Sequence, residues 1–145
     1  MKYSAFILLF ICTLCFAQGG RVTYKYISNG SETGQPRLHL TSSASTNISH
    51  FSNSQGEDFF FDYNTRKTYQ SALLKDNNRI TTIESLDNYP VPELTGDTAT
   101  ILGYLCRKAT VVIRSNHIDL RYTTGAGIKG SPALNLGPEL GLVLR

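Results

Sequence analysis

The sequence predicts a mainly β protein built on a curved antiparallel sheet, a half-barrel or open barrel, with little or no helix beyond the first seventeen residues. Three observations carry this. The strongest hydrophobic periodicity is two, in "RVTYKYI", "DFFFDY" and "HIDLRY". Clusters of Asn, Asp, Gly and Ser punctuate the chain between such runs. After residue 17 no convincing stretch holds apolar side chains at helical spacing.

Residues 1–17, "MKYSAFILLFICTLCFA", have the form of a secretory signal peptide. Lys2 is a short basic n-region and Ala5 to Leu14 an apolar h-region. Cys15 and Ala17 place small side chains at −3 and −1 before Gln18. A membrane anchor and a lipid-modified cysteine are the alternatives. The apolar run is shorter than the roughly 20 residues that span a bilayer. Leu14 and Ile11 precede the two cysteines, where a small residue normally precedes a lipidated one. Cleavage leaves Gln18 to Arg145, 128 residues expected to form one β-rich domain in the periplasm, in the envelope or outside the cell. Its 13 basic and 11 acidic side chains, with no polybasic run, carry no signature of nucleic-acid or anionic-membrane binding. No transmembrane segment follows the signal. Cys106 is then the one remaining cysteine, so no internal disulfide is available and the fold rests on its apolar core.

Each strong run divides into a buried and a wet face. Val22, Tyr24 and Tyr26 share one side of the first. Phe59, Phe61 and Tyr63 alternate with Asp58, Phe60 and Asp62 in the second. Ile118, Leu120 and Tyr122 alternate with His117, Asp119 and Arg121 in the third. Weaker strands are expected at 37–41, 45–51, 67–74 and 78–83, with loops at 28–36, 52–58, 62–66 and 75–78. "RSNH" at 114–117 predicts a tight hairpin turn with Asn116 at positive φ. Between 84 and 100 two prolines and a glycine predict a long irregular connection, with room for one helical turn near Pro92–Leu94.

"ILGYLCRKATVVI" at 101–113 changes parity. Tyr104 and Cys106 share one side, whereas Ala109, Val111 and Ile113 share the other. A β-bulge at Arg107–Lys108 would bring both sets to the same face and leave Cys106 a small buried hydrophobe beside Tyr104. The alternative is a thiolate activated by Arg107 and Lys108. Sequence neighbours point to opposite faces of a strand, which counts against it. The segment resembles the I-x-G-Y-x-C-x-K-A motif of the GLPGLI family, through Gly103, Tyr104, Cys106, Lys108 and Ala109. Gly137, Pro138 and Gly141 of the tail stand where that family has its naming motif, and "GRVTYKY" and "DFFFDYNTRKTYQ" resemble earlier segments of it. The chain departs from the family in lacking tryptophan, in replacing the Leu-Pro of the naming motif and in stopping soon after it. The final "LGLVLR" reads as a strand that either closes the sheet or leaves an open edge. The resemblance implies an exported bacterial protein of unknown function.

The first functional expectation is therefore a non-enzymatic envelope protein, with a lipid or another envelope protein as partner. An apolar groove lined by Val22, Tyr24, Tyr26, Phe59, Phe61, Tyr104, Ile118, Leu120 and Tyr122 would hold a hydrophobic ligand, and the same residues would equally make an ordinary core. The alternative is a secreted hydrolase, for which His117 and Asp119 on one strand face are weak acid–base candidates. A third reading is a structural subunit that pairs through an open sheet edge. No cofactor and no metal site are expected, since His39 and His50 belong to no ligand spacing. Neither a Gly-x-Ser-x-Gly elbow nor a phosphate loop occurs. The glycines and prolines of 125–141 read as a binding loop or as a structural turn that sets the last strand in register.

Overall fold

The computed structural model describes residues 19–35, 37–132, 136 and 140–145. The signal-like segment 1–17, Gly137 and Pro138 lie outside these. Among the described residues the strands are β1 (Gly19–Tyr24), β2 (Ile27–Ser28), β3 (Ser31–Glu32), β4 (Leu38–Ser43), β5 (Ile48–Ser52), β6 (Glu57–Asp62), β7 (Lys67–Leu73), β8 (Arg79–Ser85), β9 (Glu93–Ile101), β10 (Tyr104–Ile113), β11 (Asn116–Thr123) and β12 (Leu142–Val143). A 3-10 turn at Leu86–Asn88 follows β8. Six strands form one sheet in the order β1-β4-β5-β6-β7-β8. Four form a second in the order β12-β11-β10-β9, and β2 with β3 makes a small separate hairpin. The architecture is mainly β, antiparallel and open rather than closed into a barrel, as the two-residue periodicity predicts.

Short turns set the register of the six-stranded sheet. Asn47 and Asn77 take positive φ between strands, a conformation Asn tolerates better than most residues. The Asp62 carboxylate accepts hydrogen bonds from the backbone N–H of Asn64 and Thr65. Alternate residues then face inward. Leu38, Leu40, Phe51, Phe59 and Phe61 are buried together with Leu86 and Leu142, and Phe51 stacks on Phe59 at 4.7 Å.

A second cluster, Ala109, Val111, Leu120, Tyr122, Leu136, Leu140 and Val143, lies against the four-stranded sheet. The tail joins the two. Leu142 belongs to the first cluster and Val143 to the second, so β12 drives alternate side chains into each. The Tyr24 hydroxyl donates to the Val143 carbonyl at 2.5 Å, tying the first strand to the last. Burial, with Tyr63 adding to it, raises the pKa of that phenol. On its free side β12 meets Gly130 in a parallel bridge, and Val143 N–H donates to Gly130 C=O at 2.9 Å.

Four local expectations change. The 84–100 connection contains the nine-residue strand β9. Gly96 and Asp97 are poor strand formers, and pairing with β10 overrides their propensity. The one helical turn lies at Leu86–Asn88, not at Pro92–Leu94, because the Ser85 hydroxyl caps it by accepting from Asp87 N–H. The "RSNH" turn places Arg114 and Ser115, not Asn116, at positive φ, as a two-residue hairpin loop requires of its central residues. "RVTYKYI" breaks after Tyr24, so Tyr26 leaves the inner face and is exposed.

The cysteine strand follows a related logic. Leu102 and Gly103 both take positive φ in the tight turn between β9 and β10. Cys106 and Ala109 are both fully buried although three residues apart. The pairing of β10 with β9 shifts register between Arg107 and Ala109, and the extra residues, Thr95 to Asp97, bulge from β9. The irregularity thus falls at the position predicted for it, with the extra residues on the partner strand. Cys106 Sγ donates to the Tyr104 carbonyl at 3.5 Å, while the Tyr104 ring itself is exposed. The cysteine is buried as expected, whereas its predicted neighbour is not.

Candidate functional site

The chain after β8 builds an apolar cleft. Leu86 N–H donates to the Arg66 carbonyl, and Tyr89 N–H to that of Leu86, which turns the chain across the end of the sheet. The Tyr89 hydroxyl meets Thr68 Oγ1 at 2.9 Å. Pro90 and Pro92 then hold the following stretch extended, since each fixes its own φ and restricts the residue before it. Together these segments enclose a cavity of about 380 Å³ walled by Leu86, Tyr89, Val91 and Leu94 on one side and by Tyr122 and Leu140 on the other. That volume lies within the roughly 300–1,000 Å³ typical of ligand sites. Val91 at 85% and Leu94 at 61% exposure leave its mouth apolar and wet.

One charged pair marks the rim. Arg66 donates to Asp87 through Nε at 2.7 Å and Nη2 at 2.6 Å. These bonds, with a contribution from the Ser85 hydroxyl, hold the Asp87 carboxyl below its ordinary value. The carboxylate is therefore ionised at neutral pH and serves as a charge anchor, not a proton donor. Burial raises the Tyr89 phenol, and the Glu84 charge adds to this. Because Asp87 is depressed, the ion pair contributes stability that is complete well above pH 3.8 and is lost as pH falls through the lower folded-state value. Asp87→Asn is expected to lower Tm slightly at neutral pH and to flatten the acid limb below pH 3.8, read by thermal denaturation. Identical acid limbs in the two proteins would show that the pair adds nothing.

The residues singled out from sequence are scattered. His117 and Asp119 lie on the outer face of β11. Lys108 Nζ takes the Asp119 carboxylate at 2.9 Å across the ladder, so Asp119 pairs with a lysine rather than with His117. The groove residues divide between the two clusters. Tyr24, Phe59 and Phe61 pack in the first, Leu120 and Tyr122 in the second, and β12 fills the space between. Tyr26 and Tyr104 are exposed at 43% and 40%. Of the whole set only Tyr122 borders the cleft. Most of its other walls, Leu86, Tyr89, Val91 and Leu94 among them, fall in the stretch expected to be irregular. The sequence signal there was "YPVP", an aromatic and apolar run made rigid by proline and followed by Glu93.

The motif residues also have structural work. Gly103 makes a hairpin turn, Lys108 is the partner of Asp119, and Ala109 is core. Gly141 takes φ +95°. Among the described residues no group of three or more His, Cys, Asp or Glu side chains is placed to hold a metal ion, and no helix is long and apolar enough to cross a membrane.

The family model described as "N-glycanase peptide, N-terminal domain" matches residues 24–145. Two solved structures of PNGF-II are similar over 88% of this chain. The one in the C2 space group has 27% identity and a TM-score of 0.74. The one in the P21 space group has 26% identity and a TM-score of 0.78. The chain spans 25% of the length of each. No curated protein matches it. The GLPGLI resemblance is thereby overturned: Gly103, Lys108, Ala109 and Gly141 reflect hairpin geometry and strand packing that unrelated β proteins share. With it falls the expectation of a non-enzymatic envelope protein, because the matching family is that of a glycanase, and the hydrolase alternative fits better. By the match over residues 24–145, this chain belongs to the family of the N-terminal domain of N-glycanase.

Proposed function

We propose that this chain acts as the N-terminal domain of an exported N-glycanase-type hydrolase, the class that detaches N-linked glycans from peptide. The match of residues 24–145 to that family carries the reading. The similarity to PNGF-II at 27% identity supports it. Division of the chain into a signal peptide at 1–17 and one domain at 18–145, exported to the periplasm or beyond, is part of the same proposal. The unbroken adjacency of the two core clusters across β12 favours a single folding unit.

The cleft is assigned a contact role. Its carboxylate is locked as an anion by Arg66, and its mouth is apolar. Val91 and Leu94 are the surface that the remainder of the hydrolase covers, since the chain corresponds to a quarter of PNGF-II. PNGF-II carrying this chain in place of its matching segment is expected to release glycan from an N-glycoprotein, read as a mass shift. Val91→Asp with Leu94→Asp in that chimera is expected to lower release about tenfold. The same changes in the isolated chain should leave Tm nearly unchanged. A chimera that unfolds cooperatively and yet releases no glycan overturns the reading.

A further inference from the structure

The outer face of the six-stranded sheet is patterned in two rows. In strand-pairing order, one row runs Thr41, His50, Phe60, Tyr69 and Ile83, from β4 to β8. The adjacent row, two residues along each strand, runs His39, Ser52, Asp58, Ser71 and Thr81. An aromatic and apolar stripe thus lies beside a polar one, separated by roughly 7 Å, the repeat of two strand residues. A solvated sheet face has no need of the first stripe, and a buried one would not carry the second.

Side-chain contacts tie the centres of both rows together. The His50 and Phe60 rings stack with centroids 4.3 Å apart and planes 19° from parallel, which makes one continuous plate. Phe60 nonetheless remains 39% exposed. Beside it, Asp58 Oδ1 accepts from Ser52 Oγ at 2.6 Å and lies 3.1 Å from His50 Nε2. Asp58 Oδ2 accepts from Arg79 Nη1 at 3.2 Å, and the same nitrogen donates to Ser71 Oγ at 2.9 Å. Ser52 Oγ is 3.4 Å from the same His50 nitrogen. Serine and carboxylate thus converge on one imidazole atom, so His50 does not relay a proton between them, and the cluster is not a nucleophilic triad. Against the plate lies an open hollow of about 270 Å³, bordered by Thr41, Ser43, Thr46 and Ile48 as well as His50 and Phe60. It falls below the roughly 300 Å³ at which sites for larger ligands begin.

A flat ring plate flanked by a fixed row of hydroxyl, carboxylate and guanidinium groups complements a ligand with one apolar face and a rim of hydroxyls. A pyranose ring has that form: its axial C–H bonds present an apolar face, and its hydroxyls lie around the edge. A hydrophobic ligand would strip water from the polar row without replacing its hydrogen bonds, and an anion would meet Asp58. We propose that this outer face is a carbohydrate-binding site that seats one sugar ring of an oligosaccharide on the His50–Phe60 plate, with its hydroxyls on Ser52, Asp58 and Thr41. The site lies on the opposite side of the sheet from the core and uses none of the cleft residues. It deepens the hydrolase reading by naming where the domain holds glycan, and it rests on that reading for its biological setting only.

The test is a titration of the isotope-labelled chain with N,N′-diacetylchitobiose, followed by amide chemical shifts, with cellobiose as a second probe. Shifts are expected at His50, Phe60 and their β4 and β7 neighbours. Phe60→Leu, which keeps apolar bulk but removes the ring, should weaken binding about fivefold, and Ser52→Ala about threefold. Val91→Asp in the cleft should leave binding unchanged. Should Phe60→Leu fail to fold, His50→Ala serves the same purpose. Absence of shifts with both sugars, shifts confined to the cleft, or affinity indifferent to both ring variants would overturn the site. Sugar binding here by a chain whose PNGF-II chimera releases no glycan would sustain the site and remove the hydrolase reading. Release without outer-face binding would do the reverse.

Discussion

Gly141→Ala is expected to destabilise the protein by about 3 kcal/mol. Gly141 has φ +95°, a region that residues with a Cβ avoid. A Cβ there would come within 2.5 Å of the Thr123 carbonyl oxygen and 3.2 Å of its carbon. Both are backbone atoms of β11, whose pairing with β10 and β12 leaves them no room to yield. Relief requires the tail to move, and the tail is what joins the cores. Gly141 C=O accepts from Gly130 N–H, and the next two residues, Leu142 and Val143, fill the two clusters. The change should appear as a lower urea midpoint with an unchanged slope. A loss below about 1 kcal/mol would show that the chain reroutes at this point without disturbing the cores.

Leu40→Ala is expected to cost about 3.5 kcal/mol, within the range measured for leucine truncation in well-packed cores. Leu40 is fully buried in β4, between β1 and β5 in the sheet and facing the 126–130 segment. Its distinguishing feature is its contact with Gly130, where an added Cβ would overlap Leu40 Cδ2. Gly130→Ala alone should therefore cost about 2 kcal/mol by overpacking. With Leu40→Ala in place, the alanine methyl enters space the leucine has vacated. The double variant should then be more stable than the sum of the single losses predicts, by about 1 kcal/mol in a double-mutant cycle. Strict additivity would mean that Gly130 is required for its backbone conformation and not for its lack of a side chain.

Most of the six-stranded sheet was legible from local pattern. β6 and β11 stand where alternation placed them, with Phe59, Phe61, Leu120 and Tyr122 inside. Local pattern failed where a strand is made by its partner. β9 contains Gly96 and bulges through Thr95 to Asp97, so its own residues do not advertise a strand; the long ladder of β10 imposes one. The outer-face rows were written in the sequence as well, since His50, Ser52, Asp58 and Phe60 obey the same parity. Which of them adjoin depends on register across five strands, and a single strand's sequence does not contain that.

The family was misread for a related reason. Gly103, Lys108, Ala109 and Gly141 are spaced by turn and ladder geometry, which constrains many β proteins alike. Only the match over 24–145 separates this family from others built with the same hairpins. By itself the sequence determined strand character and the inward faces, because alternation and composition act over a few residues. The tertiary structure alone decided that the inward apolar residues divide between two clusters, that β12 is the wedge between them, and that His50 and Phe60 share a plate. These depend on contacts between segments far apart in the chain, where burial is gained by whichever surfaces meet and not by the sequence of either one.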